Sequence, residues 1–267
     1  MRTFCLLFGY TERPIRYLML CSGNIVISPI LPYAALNHVF TLFCYQYTHM
    51  SNNSPLLRVN EIFKSIQGES SYAGIPCVFV RLTGCNLRCS YCDTTYAYDE
   101  GTEMSVNEIL KTIRRHACKN VCVTGGEPLL QNSVTKLIDL LKKSHYKIFV
   151  ETGGSINIDM LPKAVTRIMD IKCPGSGMDK EMDWENIERL KHKDEVKFII
   201  SSKKDYEWAK RITRKYKLTD RAQILFGIAY GKMKPKTLAG WILKDNLDLR
   251  LQLQLQKHIW PDKERGV

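Results

Sequence analysis

Nothing in the 267 residues repeats, and no segment is of low complexity. That excludes solenoids, fibrous arrays and compositionally biased tails. Formal charge is missing over one long stretch: from Tyr17 to Leu57 there is no Asp, Glu, Lys or Arg. A membrane span needs about 20 mostly apolar residues. "IVISPILPYAALNHVFTLFCY" has the length, but Pro29, Pro32, Asn37 and His38 interrupt it, so no membrane association is expected. Nor does the stretch match a secretory leader, whose apolar centre is shorter and closed by a small-residue cleavage site. Met50 opens "MSNNSPLLRVNEIF", a polar start leading into a strand. Residues 1–49 are therefore expected to be an extension, poorly ordered and translated from a start codon placed too early. The domain proper is expected at 50–267.

Lysine and arginine exceed aspartate and glutamate by 12, yet the cations form no run with interleaved aromatics. The excess reads as a solvated basic surface, and no nucleic-acid partner is expected. There are ten cysteines. In a short secreted chain they would imply disulfides. This chain is long, and three of them crowd into "GCNLRCSYCDTTY" (Gly84–Tyr96). Such spacing points to metal ligation in a reducing compartment, hence to the cytoplasm. Cys77, Cys118, Cys122 and Cys173 read as small buried hydrophobes.

From Leu57 onward the pattern is regular. "CVFVRLTG", "NVCVTGGEP", "KIFVETGG", "TRIMDIKCPGSG", "DEVKFII" and "AQILF" are short β-rich runs, most of them stopping at glycine or serine. Between them, Ser105-x-x-Glu108 is a capping box before a helix carrying Val106, Ile109, Leu110 and Ile113. Val134, Leu137, Ile138 and Leu141 mark a second helix, and about 205–216 a third. "LRLQLQLQ" alternates strictly, which predicts a strand with one wet face. Strands alternating with helices imply βα units and a largely parallel sheet. There are about six units, too few for a closed eight-stranded barrel. Polar residues at several strand ends (Thr124, Glu151, Asp170, Lys172 and Ser201) are expected to meet on one rim beside the cysteine loop.

Beside Cys85, Cys89 and Cys92 there is no histidine and no fourth cysteine. Structural zinc takes four ligands, and an iron–sulfur cube that only carries electrons takes four thiolates. Three thiolates leave one iron open to an exogenous chelator. Cys-x3-Cys-x-Tyr-Cys, with Tyr91 as the aromatic, resembles the radical S-adenosylmethionine (SAM) enzymes. In that family the open iron of a [4Fe-4S] cluster binds the amino and carboxylate groups of S-adenosylmethionine, and one electron cleaves the sulfonium to give a 5′-deoxyadenosyl radical. "TGGEP" (Thr124–Pro128) resembles the family's Gly-Gly-Glu element.

The flanks resemble the 7-carboxy-7-deazaguanine synthases, over about residues 57–267. The carriers are "VNEIFKSIQGESSYAGIPCVFVRLTGCNLRCSYCDTTYAY", "VETGGS", "DIKCPGSG" and "LQLQLQKHIWPDKERGV". The resemblance implies an α/β fold, an incomplete TIM-like βα barrel, and a homodimer. It implies conversion of 6-carboxy-5,6,7,8-tetrahydropterin to 7-carboxy-7-deazaguanine with loss of ammonia, on the route to queuosine. The cofactors implied are the cluster, S-adenosylmethionine and Mg2+; the partners are the pterin and an electron donor such as flavodoxin or ferredoxin. By position, Cys85, Cys89 and Cys92 would ligate the cluster. Tyr91, Cys92, Asp93, Gly126, Glu127, Asp170, Ile171 and Lys172 would hold S-adenosylmethionine, and Thr94 would bind Mg2+. Ile66, Gln67, Gly68, Arg81 and Thr124 would hold the substrate, Arg81 offering a planar fork for a carboxylate.

The resemblance breaks at Gln256, where many members carry histidine; His258 follows two residues later. Two other readings remain: an activase of glycyl-radical enzymes, and a non-enzymatic module with structural zinc. The metal separates the last from the rest, since the radical reading requires about four iron per chain.

Overall fold

A computed structural model describes residues 54–267 and two short strands before them, β1 (Leu18–Cys21) and β2 (Asn24–Ile27). These two pair antiparallel, Leu18 with Ile27 through Cys21 with Asn24, and fall in a separate compact unit, Met1–Ser54. The expectation of poor order in the extension otherwise falls outside the described residues.

The second unit, Pro55–Val267, is built on one nine-stranded sheet. Its strands are β3 (Leu56–Ile66), β4 (Pro76–Leu82), β5 (Thr102–Ser105), β6 (Asn120–Gly125), β7 (Lys147–Thr152), β8 (Thr166–Asp170), β9 (Glu195–Ile200), β10 (Gln223–Ile228) and β11 (Arg250–Gln252). The spatial order is β11-β10-β9-β8-β7-β6-β4-β3-β5. β4 and β6 through β11 pair parallel; β3 runs against them, antiparallel to β4 on one side and to β5 on the other, so β3 is the one reversed strand of this sheet. Six parallel strands of five to seven residues and a short seventh bear out the incomplete barrel.

The helices follow from capping and periodicity. In α1 (Val106–Arg115) Ser105 accepts from Glu108 N–H and Glu108 reaches back, which completes the capping box. Helix α2 (Val134–Lys143) buries Val134, Leu137, Ile138 and Leu141. A short α3 (Asn186–Arg189) follows β8. Ser202 caps α4 (Lys203–Lys215), Pro235 opens α5 (Pro235–Lys244), and α6 (Leu255–Ile259) lies in the tail.

The strands sort their side chains by alternation. One face gives Val78, Val80, Leu82, Val121, Val123, Val150, Val196, Phe198 and Phe226 to the main core, against Ile109, Ile113, Leu137, Ile138, Tyr206 and Leu238 of the helices. On the other face, Phe79, Cys122, Phe149 and Ile168 form a smaller cluster, plugged by Tyr72, whose ring lies 4.5 Å from that of Phe149. Above this apolar floor the next inward positions are polar: Arg81, Thr124, Glu151, Asp170 and Lys197. Cys77, Cys122 and Cys173 are fully buried, as expected; Cys118 is partly so.

The tail departs from its alternation. The strand covers only Arg250–Gln252, and α6 begins at Leu255. The inward face is the glutamine face: Gln252 is 6% exposed, while Leu251 is 38% exposed. The interior here is a polar cavity containing Glu69 and Lys197, and amide donors satisfy a buried carboxylate where leucine would leave it bare.

Candidate active site

A cavity of about 470 Å³ opens at the carboxyl ends of the parallel strands. Cys85, Cys89 and Cys92 form one end of its wall. Their loop is fastened on both sides. Ser90 N–H donates to Ser176 O (3.0 Å) and Ser90 Oγ to Gly175 O (2.8 Å). The 174–177 turn is held in turn by Asp205, which accepts from Gly175 N–H at 2.8 Å. Asn86 Nδ2 donates to Ser155 Oγ (3.0 Å), and Arg88 lies over the Tyr98 ring at 4.3 Å. Burial pushes the Cys85 and Cys89 thiols up from their ordinary value.

The Gly125–Gly126 turn passes directly beneath this loop. Gly125 has φ +148 and lies against Leu82; a Cβ on Gly126 would lie 2.3 Å from Gly84 O and 2.7 Å from Cys85 Cβ. Only glycine permits that approach. Glu127 then locks the turn. Fully buried, it accepts from Leu129 N–H (3.0 Å), Thr152 Oγ (2.9 Å) and Gly153 N–H (2.6 Å). Burial raises its pKa, against those hydrogen bonds.

Above the apolar floor, Arg81 Nε donates to Glu61 at 2.8 Å, with the guanidinium near the rings of Tyr96 (5.7 Å) and Phe63 (5.8 Å). Gln67 Nε2 (3.3 Å) and Thr124 Oγ1 (3.0 Å) both donate to Glu151. An alternating chain of buried charge crosses the middle: Lys172 to Asp170 (2.9 Å), Asp170 to Lys197 (3.8 Å), Lys197 to Glu69 (2.7 Å). Burial works against the Lys172 charge, but Asp170 and Cys89 outweigh it and leave the pKa raised. Asp170 Oδ1 is buried with no partner.

The sequence matches the Radical SAM superfamily over residues 79–220. It is 41% identical over 226 residues to the 7-carboxy-7-deazaguanine synthase of Koribacter versatilis, covering 79% of this chain and 100% of that protein. It is 42% identical over 221 residues to that of Chlorobaculum tepidum, covering 82% and 100%. The chain belongs to this family of radical SAM enzymes. The crystal structure of QueE from Escherichia coli shares the fold, with a TM-score of 0.62 at 22% identity over 74% of this chain and 94% of that one.

Radical SAM membership implies a [4Fe-4S] cluster and S-adenosylmethionine, and the donor set fits both. The wall holds three thiols and no fourth cysteine or histidine. The bare acceptor Asp170 Oδ1 and the narrow Gly126 turn are features a polar cofactor would complete. As placed, no three such side chains among the described residues stand at ligating spacing: the thiols share a wall without closing on a point. The zinc-module and activase readings are not favoured.

The cavity gathers Ile66, Gln67, Gly68, Arg81, Tyr91, Asp93, Thr94, Thr124, Gly126, Asp170 and Lys172 with the cysteines. Two expected residues do not line it. Glu127 spends its carboxylate on the turn, and Ile171 is 1% exposed and packs into the main core. Ser201 is also absent from the wall; it donates to Asp205. Glu69, Lys197 and Gln254 also line the cavity and were not anticipated as site residues. Lys197 had a signal, a charge inside the apolar run "VKFII"; Glu69 follows Gln67 and Gly68 directly in sequence.

Proposed function

We propose that this chain converts 6-carboxy-5,6,7,8-tetrahydropterin to 7-carboxy-7-deazaguanine with release of ammonia, in the biosynthesis of queuosine and other 7-deazapurines. The observation that carries it is one cavity lined by three thiols, a guanidinium and a fixed carboxylate. The assignment is to residues 50–267, which contain every cavity residue.

When bound, the cluster and S-adenosylmethionine supply the carbon radical. The chain's own groups bind and orient. Arg81 spends Nε on Glu61, which leaves its two terminal nitrogens for the substrate carboxylate. The Gln67 amide is engaged at both ends: Nε2 donates to Glu151 and Oε1 accepts from Glu69 N–H (3.0 Å). Its role is therefore to fix Glu151 from one side while Thr124 fixes it from the other. The carboxylate so held offers acceptors to the N–H donors of the aminopyrimidinone edge, and an analogue lacking them would leave it unpaired. Tyr91 Oη donates to Ile199 O (3.1 Å), which braces the ring beside Cys92.

Mg2+ is assigned to Thr94. Its hydroxyl donates to Asp93 Oδ1 at 3.0 Å, and the free lone pairs suit a hard cation that keeps most of its waters. Thr94→Ala is expected to raise the half-saturating Mg2+ concentration by about ten-fold, with iron content unchanged. Loss of iron in this variant would contradict the assignment. A homodimer is what the family resemblance suggests, and exposed Leu251 on the edge strand β11 is compatible with it; the electron would come from a flavodoxin- or ferredoxin-type carrier. Among the described residues no helix is long and apolar enough to cross a membrane.

The test is turnover. The reconstituted enzyme is incubated anaerobically with the carboxytetrahydropterin, S-adenosylmethionine, Mg2+ and a reductant. Deazaguanine product with S-adenosylmethionine unconsumed is the expected result; cleavage of S-adenosylmethionine without that product would refute the substrate.

A further inference from the structure

The alternating run Leu249–Gln256 is one sequence feature that the proposed reaction leaves unused. In the structure three of its amides converge on a single carboxylate. Gln252 Nε2 lies 3.0 Å from Glu69 Oε2; Gln254 Nε2 and Gln256 Nε2 lie 2.9 and 3.3 Å from Oε1. Lys197 Nζ completes the set at 2.7 Å. Gln252 Oε1 also accepts from Ser70 N–H (2.9 Å), and Leu255 N–H donates to Gly68 O (3.0 Å). The tail is thus fastened over the Gln67–Ser71 loop beyond the point where the strand itself has ended.

Glu69 is a suitable hub because it stays charged. Burial would raise its pKa, but the Lys197 charge and the hydrogen bonds from Lys197, Gln254 and Gln256 bring it down to about 2. A glutamine amide has two N–H donors, and Gln254 divides them between two carboxylates. One goes to Glu69 at 2.9 Å and the other to Asp93 Oδ2 at 3.4 Å. Asp93 in turn accepts from Thr94. Gln252 and Gln256 make no bond to Asp93.

We propose that this run is a clasp in which Gln254 is a positioning residue, tying the C-terminal tail to the Asp93–Thr94 segment beside the cysteines. Docking of the tail and placement of that segment then form one event. The amide is the only group of the three glutamines that stands between Glu69 and Asp93, two like charges with no other link to one another. The tie itself is read from the hydrogen bonds; only its effect on Mg2+ rests on the role proposed for Thr94.

Gln254→Met keeps the length of the side chain and removes both donors. Hydrogen exchange on the full chain reads two segments. The first is 92–98, which includes Cys92 N–H (3.1 Å to Cys89 O) and Ala97 N–H (3.0 Å to Thr94 O); the second is 253–258. Exchange in both is expected to quicken by about ten-fold, the worth of a hydrogen bond to a charged group. Gln252→Met, lacking contact with Asp93, should quicken only the tail and residues 69–71. Half-saturating Mg2+ should rise in the Gln254 variant and not in the Gln252 variant. Unchanged exchange at 92–98 in Gln254→Met overturns the clasp whatever Mg2+ does, as does equal loosening of 92–98 in both variants. Faster exchange at 92–98 in Gln254→Met alone, with an unchanged Mg2+ requirement, upholds the clasp and overturns the metal role of Thr94.

Discussion

Lys197→Met should destabilise the protein by about 3–5 kcal/mol, because it strips buried Glu69 of its ion-pair partner and leaves Asp170 with Lys172 alone. Lys197 lies 2.7 Å from Glu69 and 3.8 Å from Asp170, and methionine fills most of its volume, so the loss is electrostatic. For a domain of this size the midpoint of thermal unfolding falls by roughly 10 °C. The loss should also depend on pH. In the wild type the Glu69 pKa lies at about 2 against an ordinary 4.5. Its stabilisation is therefore complete above about 4.5 and lost as pH falls toward 2. Without Lys197, burial, the largest single influence on Glu69, lifts the pKa above its ordinary value. The carboxylate then destabilises at neutral pH and is relieved as acid protonates it. The gap between variant and wild type should narrow from pH 7 to pH 4. Glu69→Gln added to Lys197→Met should recover a large part of the loss, since the uncompensated charge is gone. Thermal unfolding of the three proteins at both pH values checks this. Parallel pH curves for the wild type and the Lys197 variant would refute the account.

The second large effect is expected at Gly126. An alanine Cβ there would stand 2.3 Å from Gly84 O and 2.7 Å from Cys85 Cβ, and both neighbours belong to the cysteine loop. Backbone cannot yield as a side-chain tip does, so the loop must shift. Overpacking of this kind costs about 1–3 kcal/mol. The larger loss is chemical: a displacement of about 1 Å in a positioned group can lower the rate about a hundred-fold. Gly126→Ala is therefore expected to fold, bind iron poorly and turn over at or below about a hundredth of the normal rate. Gly240, in α5 with open space around its Cα, is the control. Alanine there should leave iron and activity intact and favour the helix by up to about 1 kcal/mol. Equal effects at both positions would show that the Gly126 turn does not shape the cysteine loop.

Local pattern was enough for much of the scaffold. The apolar runs that became β4, β6, β7, β8, β9 and β10 and the capping box of α1 are encoded by neighbours a few residues apart. The elements that sequence reading passed over have weak local signals. Strand β5 is "TEMS", without alternation; α3 is four residues long; α5 carries Gly240 in its interior.

The site divides along the same line. The cysteine loop and the Gly-Gly turn are contiguous motifs, so their chemistry is written in spacing: three thiols, no fourth ligand and a turn too tight for a side chain. The sequence by itself determined that three thiols without a fourth ligand stand beside a glycine turn on a βα sheet, and its likeness to the radical SAM family implies the cluster they would hold. What tertiary structure alone decided is the far wall of the cavity. Glu69 meets Lys197 across 128 residues and Gln252 across 183, and no local period encodes such a meeting. The alternation of leucine and glutamine shows that the tail has two faces. Which of them turns inward depends on what lies opposite, and a buried carboxylate that must be satisfied draws in the glutamines.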